Sequence, residues 1–295
     1  MKSYLLSILA IFLYIANIQA QAPSIKNPIA NWLKDKKATV GVAVLTDKNE
    51  IIRYNDDIHF PLLSVFKFHV ALAALDKMNK QNISLDSMLV VKAAQLHPDT
   101  YSPLKEKYPD QDLTISLREL LQYSVSLSDN NACDILIEFV GGMKHIDGYI
   151  RQLGISDFNL SESEVNMHFD TNSVYLNWST PSTMAQLLKI ADDKDLFAKE
   201  YKDFLWTIMV NTETGPNKLK GLLPANTVVG HKTGSSDRNA DGMKVADNDA
   251  GFIILPDGRK YYIAVFVMNS YETDESNANI IAQISRMVYD SMLKE

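Results

Sequence analysis

Three short motifs bring together residue types that catalyse acyl transfer. Ser64 stands three residues before Lys67, so a helix that begins near Ser64 places a hydroxyl and an amine on one face. The motif Ser128-Asp129-Asn130 supplies a second hydroxyl and a carboxamide, and Lys232-Thr233-Gly234 supplies a cation two residues before a glycine. A nucleophile, proton carriers and a cationic binding edge are what a serine acyl-transfer site requires.

The chemistry of these side chains suggests their roles. Ser64 is the candidate nucleophile, because the free N–H groups of a helix start favour negative charge that develops on it. Lys67 is able to take the proton of Ser64 if its amine is neutral, which burial and a cation such as Lys232 would promote. Ser128 could relay a proton to the leaving nitrogen, and Asn130 could donate a hydrogen bond to a substrate carbonyl.

The other motif residues have capping or binding roles. Asp129 is expected to cap the helix that follows it. The Lys232-Thr233-Gly234 motif is expected on a strand edge, where the glycine lets a ligand approach the backbone closely. The N–H of Ser235 could then pair with that of Ser64 as an oxyanion hole.

The elements that hold these motifs can be predicted from the hydrophobic pattern. Alternating apolar residues indicate five antiparallel strands, at 38–46, 50–54, 227–231, 251–255 and 261–268. Apolar stripes of helical spacing fill the middle of the chain and recur at 276–294. We therefore predict an α/β fold of the α+β kind, with a five-stranded antiparallel sheet flanked by terminal helices and an all-helical lobe inserted into it.

The lobes can be assigned to ranges of the sequence. Residues 21–60 and 212–295 are predicted to form the sheet lobe, and residues 61–211 the helical lobe. Ligands favour the seam between two such lobes, so the three motifs are expected to meet there.

The N-terminal residues 1–20 are typical of a secretory signal peptide. Lys2 precedes an apolar run, and Ile18-Gln19-Ala20 forms a small-residue cleavage pattern. The apolar run is too short for a comfortable membrane span, and no cysteine follows it to carry a lipid. We predict a soluble protein that is periplasmic or secreted and has no stable membrane anchor; a retained N-terminal anchor is the alternative.

Composition argues against several classes of function. The formal net charge is −7 and no basic run is present, so nucleic acid is not an expected partner. The six histidines lack ligand spacing, so no metal or other cofactor is expected. The single cysteine, Cys133, lies on an apolar helical face and is expected to be buried and inert. A monomer that acts on a small molecule fits these observations.

Taken together, the motifs resemble those of the class A serine β-lactamases, over essentially the whole chain after the leader. Further matches follow in the order of that family: Tyr101-Ser102-Pro103, Gly215-Pro216, Leu223-Pro224-Ala225 and Pro256-Asp257-Gly258. The resemblance implies a β-lactamase/transpeptidase-like fold. It also implies hydrolysis of the β-lactam amide of cephalosporins and penicillins through a serine acyl-enzyme, which confers β-lactam resistance.

The resemblance also implies roles for individual residues. Ser64 would be the acylated nucleophile, with Lys67 and Ser128 as proton carriers. Lys232 would bind the substrate carboxylate, and Tyr101 would form a wall of the pocket. The substrate-binding set also includes the residues expected near the strand edge and above the nucleophile: Asn130, Thr233, Gly234 and Ser235.

The family's deacylating glutamate is expected in the segment 157–180, which contains Glu162 and Glu164. Counting back from Asn177-Trp178, where the family's loop ends, places Glu164 at the catalytic position. That carboxylate would activate the water that hydrolyses the acyl-enzyme.

This segment departs from the usual family pattern at several positions. Val165 stands where a proline is common, and His168 replaces the asparagine that positions the water. Asn177 replaces an aspartate and Glu162 replaces its arginine partner, so the ion pair that closes the loop is absent. With the long segment 236–248, these changes resemble the extended-spectrum cephalosporinase branch.

A second cation is expected to contact the substrate carboxylate beside Lys232. The candidates are Lys218 and Arg238. We favour Lys218, because Arg238 lies in a polar stretch that we expect to be a mobile loop.

Two other functions share the motifs. A penicillin-binding D,D-peptidase acts on peptidoglycan stem peptides and lacks a dedicated deacylating carboxylate, which Glu164 argues against. A sensor domain that stays acylated normally belongs to a membrane-spanning chain, which the removable leader argues against.

Overall fold

The computed structural model describes residues 25–170 and 172–294, so the predicted signal peptide lies outside the described residues. The α-helices are α1 Lys26–Leu33, α2 Lys67–Gln81, α3 Pro103–Lys107, α4 Leu117–Ser126, α5 Asn130–Val140, α6 Met143–Gln152, α7 Glu164–Phe169, α8 Pro181–Asp193, α9 Lys199–Val210 and α10 Asp274–Met292. The strands are β1 Thr39–Thr46, β2 Ile51–Tyr54, β3 Phe60–Pro61, β4 Met88–Val91, β5 Leu113–Ser116, β6 Phe158–Asn159, β7 Trp178–Ser179, β8 Val228–Ser235, β9 Lys244–Ile254 and β10 Lys260–Ser270.

The predicted five-stranded sheet is confirmed, with strands from both ends of the chain in the order β2-β1-β10-β9-β8. Every pairing is antiparallel, and β1 lies along β10 with Thr39 opposite Met268. Strand β8 is an edge strand that carries the Lys232-Thr233-Gly234 motif. The short strands β3, β6 and β7 form a separate three-stranded sheet at the base of the 157–180 segment, which the sequence did not predict.

The strand predicted at 251–255 is longer than expected, because β9 begins at Lys244, within the segment 236–248. The stretch Asp247-Asn248-Asp249 is as polar as a loop, yet all three side chains are almost fully buried. Each of them has a specific partner, so these polar groups are tolerated inside a sheet. The hydrophobic pattern predicted only the apolar end of β9, because three consecutive buried residues before that end are polar.

The helices start where the sequence provides side-chain caps. Asp129 accepts a hydrogen bond from the backbone N–H of Ala132 at the start of α5, which confirms its expected capping role. Ser116 and Glu119 form a reciprocal capping box at α4, and Thr273 caps α10. The caps place Ser128 between α4 and α5.

Two hydrophobic cores lie on the two faces of the sheet. Helices α1 and α10 cover one face through residues such as Ile29 and Ile281, packed against the valines of β1. Helix α8 covers the other face, and the core there continues around α2, whose Phe68, Leu72 and Leu75 are fully buried. The predicted terminal helices are thus confirmed.

Cys133 is buried on α5, as expected. No helix within the described ranges is both long and apolar enough to span a bilayer. The lobe boundaries at residues 61 and 211 stay a prediction.

Candidate active site

Ser64 lies in a 3₁₀ turn, Leu63–Phe66, that leads directly into α2. The turn begins with Leu63 in the left-handed region at φ 46°, a strained conformation for a leucine. A Cβ built on Gly234 would lie 2.4 Å from the Leu62 carbonyl oxygen and 3.1 Å from the Ser64 nitrogen. Strand β8 can therefore pack against the backbone of this turn only because residue 234 is glycine.

Lys67 is fully buried and connects the three motifs. Its Nζ donates to the Ser128 carbonyl oxygen and to Asn130 Oδ1, both at 2.6 Å. It also lies 3.0 Å from Glu164 Oε1 and forms an ion pair in which the lysine side chain is completely shielded from solvent. Within the described ranges, the hydrogen bonds of Lys67 do not include one to Ser64.

Glu164 is the carboxylate that meets the nucleophile. The hydroxyl of Ser64 donates to Glu164 Oε1 at 3.3 Å, and the glutamate side chain is almost completely buried. Ser163 caps α7 and so fixes Glu164 as the first residue of that helix. Glu162, the other candidate, instead accepts a hydrogen bond from Asn166 Nδ2 at 3.0 Å.

Asp134 on α5 holds the start of α7, and its role was not predicted from the sequence. Its two carboxylate oxygens accept the backbone N–H groups of Glu164 and Val165, at 2.8 and 2.9 Å. Burial, together with the charge of Glu164, raises the pKa of Asp134 to about 7. The only signal in the sequence was a carboxylate within the otherwise apolar stretch of α5.

Lys232 and Ser128 face each other across the site. Lys232 is fully buried, and its Nζ donates to Ser128 Oγ and to the Thr233 carbonyl oxygen, both at 2.8 Å. Ser128 adopts φ 60°, which interrupts the helical backbone between α4 and α5. The residue therefore lies between Lys67 and Lys232 and contacts both of them. Burial, reinforced by the positive charge of Lys67, lowers the pKa of Lys232 well below its usual value.

Asn130 and Tyr101 lie together at the helical side of the site. The Asn130 carboxamide accepts from Lys67 and donates through Nδ2 to Thr100 Oγ1 at 2.7 Å. The backbone N–H of Asn130 donates to the Tyr101 carbonyl oxygen at 3.0 Å, while the Tyr101 side chain is 55% exposed. An exposed aromatic ring beside buried polar groups is suited to contact a ligand.

The strand edge continues from Lys232 through Thr233 to Ser235. Thr233 Oγ1 lies 2.6 Å from Thr214 Oγ1, which ties β8 to the segment that follows α9. Ser235 is exposed at the end of β8. These two hydroxyl groups lie on the edge strand that passes the Ser64 turn.

The two candidates for the second cation are both paired. Lys218 is almost fully buried, and its Nζ lies 2.5 Å from Asp247 Oδ1 and 3.2 Å from the Asn248 carbonyl oxygen. Arg238 donates to backbone carbonyls and to Asp274 Oδ1, at 2.5 Å. Arg238 is therefore tied to the start of α10 rather than extended from a loop. Lys218 packs beside Gly215, close to Thr233.

Asn177 closes the segment that carries Glu164. Its Oδ1 accepts the backbone N–H groups of Ser161 and Glu162 at 2.8 and 3.0 Å, and its Nδ2 donates to the Glu162 carbonyl oxygen at 2.7 Å. The Asn177 carbonyl oxygen accepts from Leu62 N at 2.8 Å, just before the Ser64 turn. The fully buried Asn177 amide therefore closes this segment by hydrogen bonds, in place of the ion pair that is usual in the family.

Comparison with known proteins gives consistent matches. The model of the β-lactamase enzyme family matches residues 24–292. A protein named beta-lactamase from Bacteroides uniformis is 68% identical, over 99% of this chain and 100% of its own length. Extended-spectrum beta-lactamase PER-1 from Pseudomonas aeruginosa is 41% identical, over 94% of this chain and 90% of its own length.

Solved structures agree with these relatives. A class A beta-lactamase from Bacteroides cellulosilyticus superimposes with a TM-score of 0.90 and 60% identity, covering 92% of this chain and 98% of that one. The TLA-1 extended-spectrum beta-lactamase has a TM-score of 0.90 and 47% identity over the same shares of the two chains.

Proposed function

This chain belongs to the β-lactamase enzyme family as a class A serine β-lactamase, and on that premise we propose that Ser64 is the nucleophile that β-lactams acylate. Hydrolysis of the β-lactam amide bond, the basis of β-lactam resistance, is the activity of this chain. The contact of Ser64 Oγ with Glu164 Oε1 at 3.3 Å supports the assignment most directly. It joins the candidate nucleophile to a buried base.

Acylation begins with attack of Ser64 Oγ on the β-lactam carbonyl carbon. The serine proton passes to the Glu164 carboxylate, to which the hydroxyl already donates. Lys67, 3.0 Å from the same oxygen, stabilises the carboxylate and can exchange that proton with it. The backbone N–H groups of Ser64 and Ser235 stabilise the oxyanion that forms on the carbonyl.

Ser128 protonates the leaving nitrogen when the amide bond breaks. Its hydroxyl accepts from Lys232 Nζ at 2.8 Å, which orients it towards the nitrogen. The proton that Glu164 took from Ser64 returns through Lys67 to replace the one that Ser128 loses. Glu164 is therefore a carboxylate again before deacylation, and Lys232 keeps its charge. Lys67 donates to the carbonyl oxygen of Ser128, which keeps that residue in place during the transfer.

Deacylation uses Glu164 as a general base. The carboxylate takes a proton from a water molecule, which then attacks the ester carbonyl of acylated Ser64 and releases the opened product. Asp134 holds the first turn of α7, and Asn177 closes the segment around it. Both keep the base at hydrogen-bond distance from the nucleophile.

Cephalosporins and penicillins are the proposed substrates, and several relatives are extended-spectrum enzymes by name. Lys232 and Thr233, which are buried on the edge strand β8, bind the substrate carboxylate together with the exposed Ser235, and Asn130 and Tyr101 contact the rest of the molecule. Gly234 keeps the edge close to the Ser64 turn. Lys218 adds positive charge next to Thr233, although its ammonium is already paired with Asp247.

Export to the periplasm or secretion is proposed from the pattern of residues 1–20. A monomer remains the expected state. Determining the N-terminus of the protein recovered from an expressing cell would test the cleavage after Ala20.

One experiment separates hydrolysis from the two alternatives that share the motifs. Purified protein is mixed with excess cephalosporin, and absorbance and intact mass are followed together. A turnover of many substrate molecules per enzyme, with only a transient adduct, is expected. A single stoichiometric burst with a persistent adduct would instead indicate a D,D-peptidase or a sensor domain.

A further inference from the structure

A buried histidine and aspartate lie directly behind the Lys232 motif and take no part in the chemistry described above. His231 Nδ1 lies 2.9 and 2.8 Å from the two carboxylate oxygens of Asp249, and both residues are fully buried. His231 immediately precedes Lys232 on β8, and Asp249 lies on the neighbouring strand β9. Because side chains alternate along a strand, the imidazole and the Lys232 ammonium leave β8 on opposite faces.

The neighbouring strand β9 leaves space for the imidazole ring of His231. Gly251 is the register partner of His231, and a Cβ at Gly251 would lie 2.8 Å from the Cβ of His231. The missing side chain leaves room for the imidazole, which reaches diagonally to Asp249, two residues away on the same face.

The pair ties together three segments around the active site. Asp249 Oδ2 accepts the backbone N–H of Leu219 at 3.1 Å, next to Lys218. Thr212 Oγ1 donates to the His231 carbonyl oxygen at 2.7 Å. The segment after α9 is therefore attached to β8 and β9 through these two residues.

The hydrogen bonding also indicates the charge of the pair. His231 Nε2 is buried and has no hydrogen-bond partner within the described ranges. An imidazolium would leave a cationic donor buried without an acceptor, which is far more costly than an unpaired nitrogen lone pair. The ring is therefore neutral, with Nδ1–H donating to the carboxylate, and the pair has a net charge of −1.

Asp249 is the register partner of Thr233, so its carboxylate lies one step along the neighbouring strand from Lys232. Building on the proposed function, we propose that His231 and Asp249 form a positioning pair, which fixes the strand behind Lys232 and places a negative charge next to that lysine, so that Lys232 binds the substrate carboxylate as a cation. Neither residue contacts the substrate. The pair acts through Lys232, by fixing the strand that carries it and by opposing the neighbouring positive charges.

The charges around Lys232 explain why such support is needed. Burial most strongly lowers the pKa of Lys232, and the charge of Lys67 and, to a smaller extent, that of Lys218 lower it further. The carboxylates of Glu164 and Asp249 act in the opposite direction. On the far side, Asp249 also faces Lys220, whose ammonium donates to two backbone carbonyl oxygens. Asp247 is paired with Lys218 and compensates that charge locally.

The test compares Asp249→Asn with His231→Asn in pH profiles of kcat/KM for a cephalosporin, between about pH 5 and 10. Asp249→Asn removes the charge but keeps an oxygen for the His231 and Leu219 N–H groups. We expect its alkaline limb to move to lower pH by about half a unit or more, with a raised KM at neutral pH. His231→Asn keeps the carboxylate, so its alkaline limb should stay within about 0.2 units of the parent enzyme while its thermal stability falls.

A matched control removes a carboxylate elsewhere. Asp192→Asn alters the Lys260 and Tyr262 cluster far along the sheet and should leave the profile unchanged. The proposal would be overturned if the alkaline limb of the pH profile did not move in Asp249→Asn. It would also be overturned if that limb moved in His231→Asn, and either result alone is enough. Two further measurements test the proposed function separately from this proposal. If the parent enzyme does not turn over cephalosporin and Glu164→Gln accumulates no adduct at Ser64, the proposed function itself has failed.

Discussion

Ser64 and Glu164, one hundred residues apart in the chain, are joined by a hydrogen bond of 3.3 Å between Oγ and Oε1. The two residues belong to elements that the fold brings together independently. Ser64 is held by the 3₁₀ turn in front of α2, and Glu164 by the capped start of α7. Anything that moves α7 relative to this turn should therefore change deacylation before it changes the fold.

Ser64→Ala should abolish covalent labelling by penicillins and cephalosporins. Among the described residues the hydroxyl makes one hydrogen bond, at 3.3 Å, so its loss should leave the thermal transition close to that of the parent. Intact mass after incubation with penicillin is the measurement. An adduct of unchanged yield in the alanine variant would mean that another residue is the nucleophile.

Lys218→Ala should raise KM for cephalosporins by about tenfold, the size of a lost charge-assisted hydrogen bond, whereas Arg238→Ala should leave KM nearly unchanged. Since Asp247 would be left buried without its close partner, the single variant should also be less stable. The double variant Lys218→Ala/Asp247→Asn should recover stability and keep the high KM. A large increase for Arg238→Ala alone would reverse the choice.

Asp134→Asn should change how stability depends on pH. The pKa of Asp134 is raised from 3.8 to about 7, so between these values the folded protein holds a proton that the unfolded chain releases. This carboxyl therefore destabilises the fold progressively as the pH rises from about 4 to 7. The difference in thermal midpoint between the asparagine variant and the parent should increase in favour of the variant over that range. A difference that is constant with pH would contradict the prediction.

Asn177→Asp should be destabilising, although an aspartate is usual at this position in the family. The Nδ2 donor to the Glu162 carbonyl oxygen is lost, and the new carboxylate is fully buried without a cation. We expect a loss of about 3 kcal/mol in unfolding free energy. The double variant Asn177→Asp/Glu162→Arg restores an ion pair and should regain part of that loss in denaturant titrations. Equal stabilities of the two variants would show that residue 162 cannot reach the new charge.

The sequence predicted the sheet, the terminal helices and the three motifs because those depend on local pattern and on residue type. The roles of Asp134 and Asn177 could not be predicted from the sequence. Their partners are backbone N–H groups that come near them only in the folded chain. The same holds for Asp247 and Asp249, which resemble loop residues until the cations and the histidine that they meet are known. Polar residues that are buried with distant partners are the part of this fold that local patterns do not encode.

The most direct test of the account compares Glu164→Gln with Glu162→Gln. The amide at 164 cannot accept a proton from water, so turnover should fall by about a hundredfold or more. Lys67 can take the Ser64 proton in place of the lost carboxylate, so acylation continues and the adduct accumulates in the mass spectrum. Glu162→Gln should turn over cephalosporin at nearly the parental rate, because Glu162 contacts Asn166 rather than Ser64. An adduct trapped in Glu162→Gln, or undiminished turnover in Glu164→Gln, would contradict the assignment of Glu164 as the deacylating base.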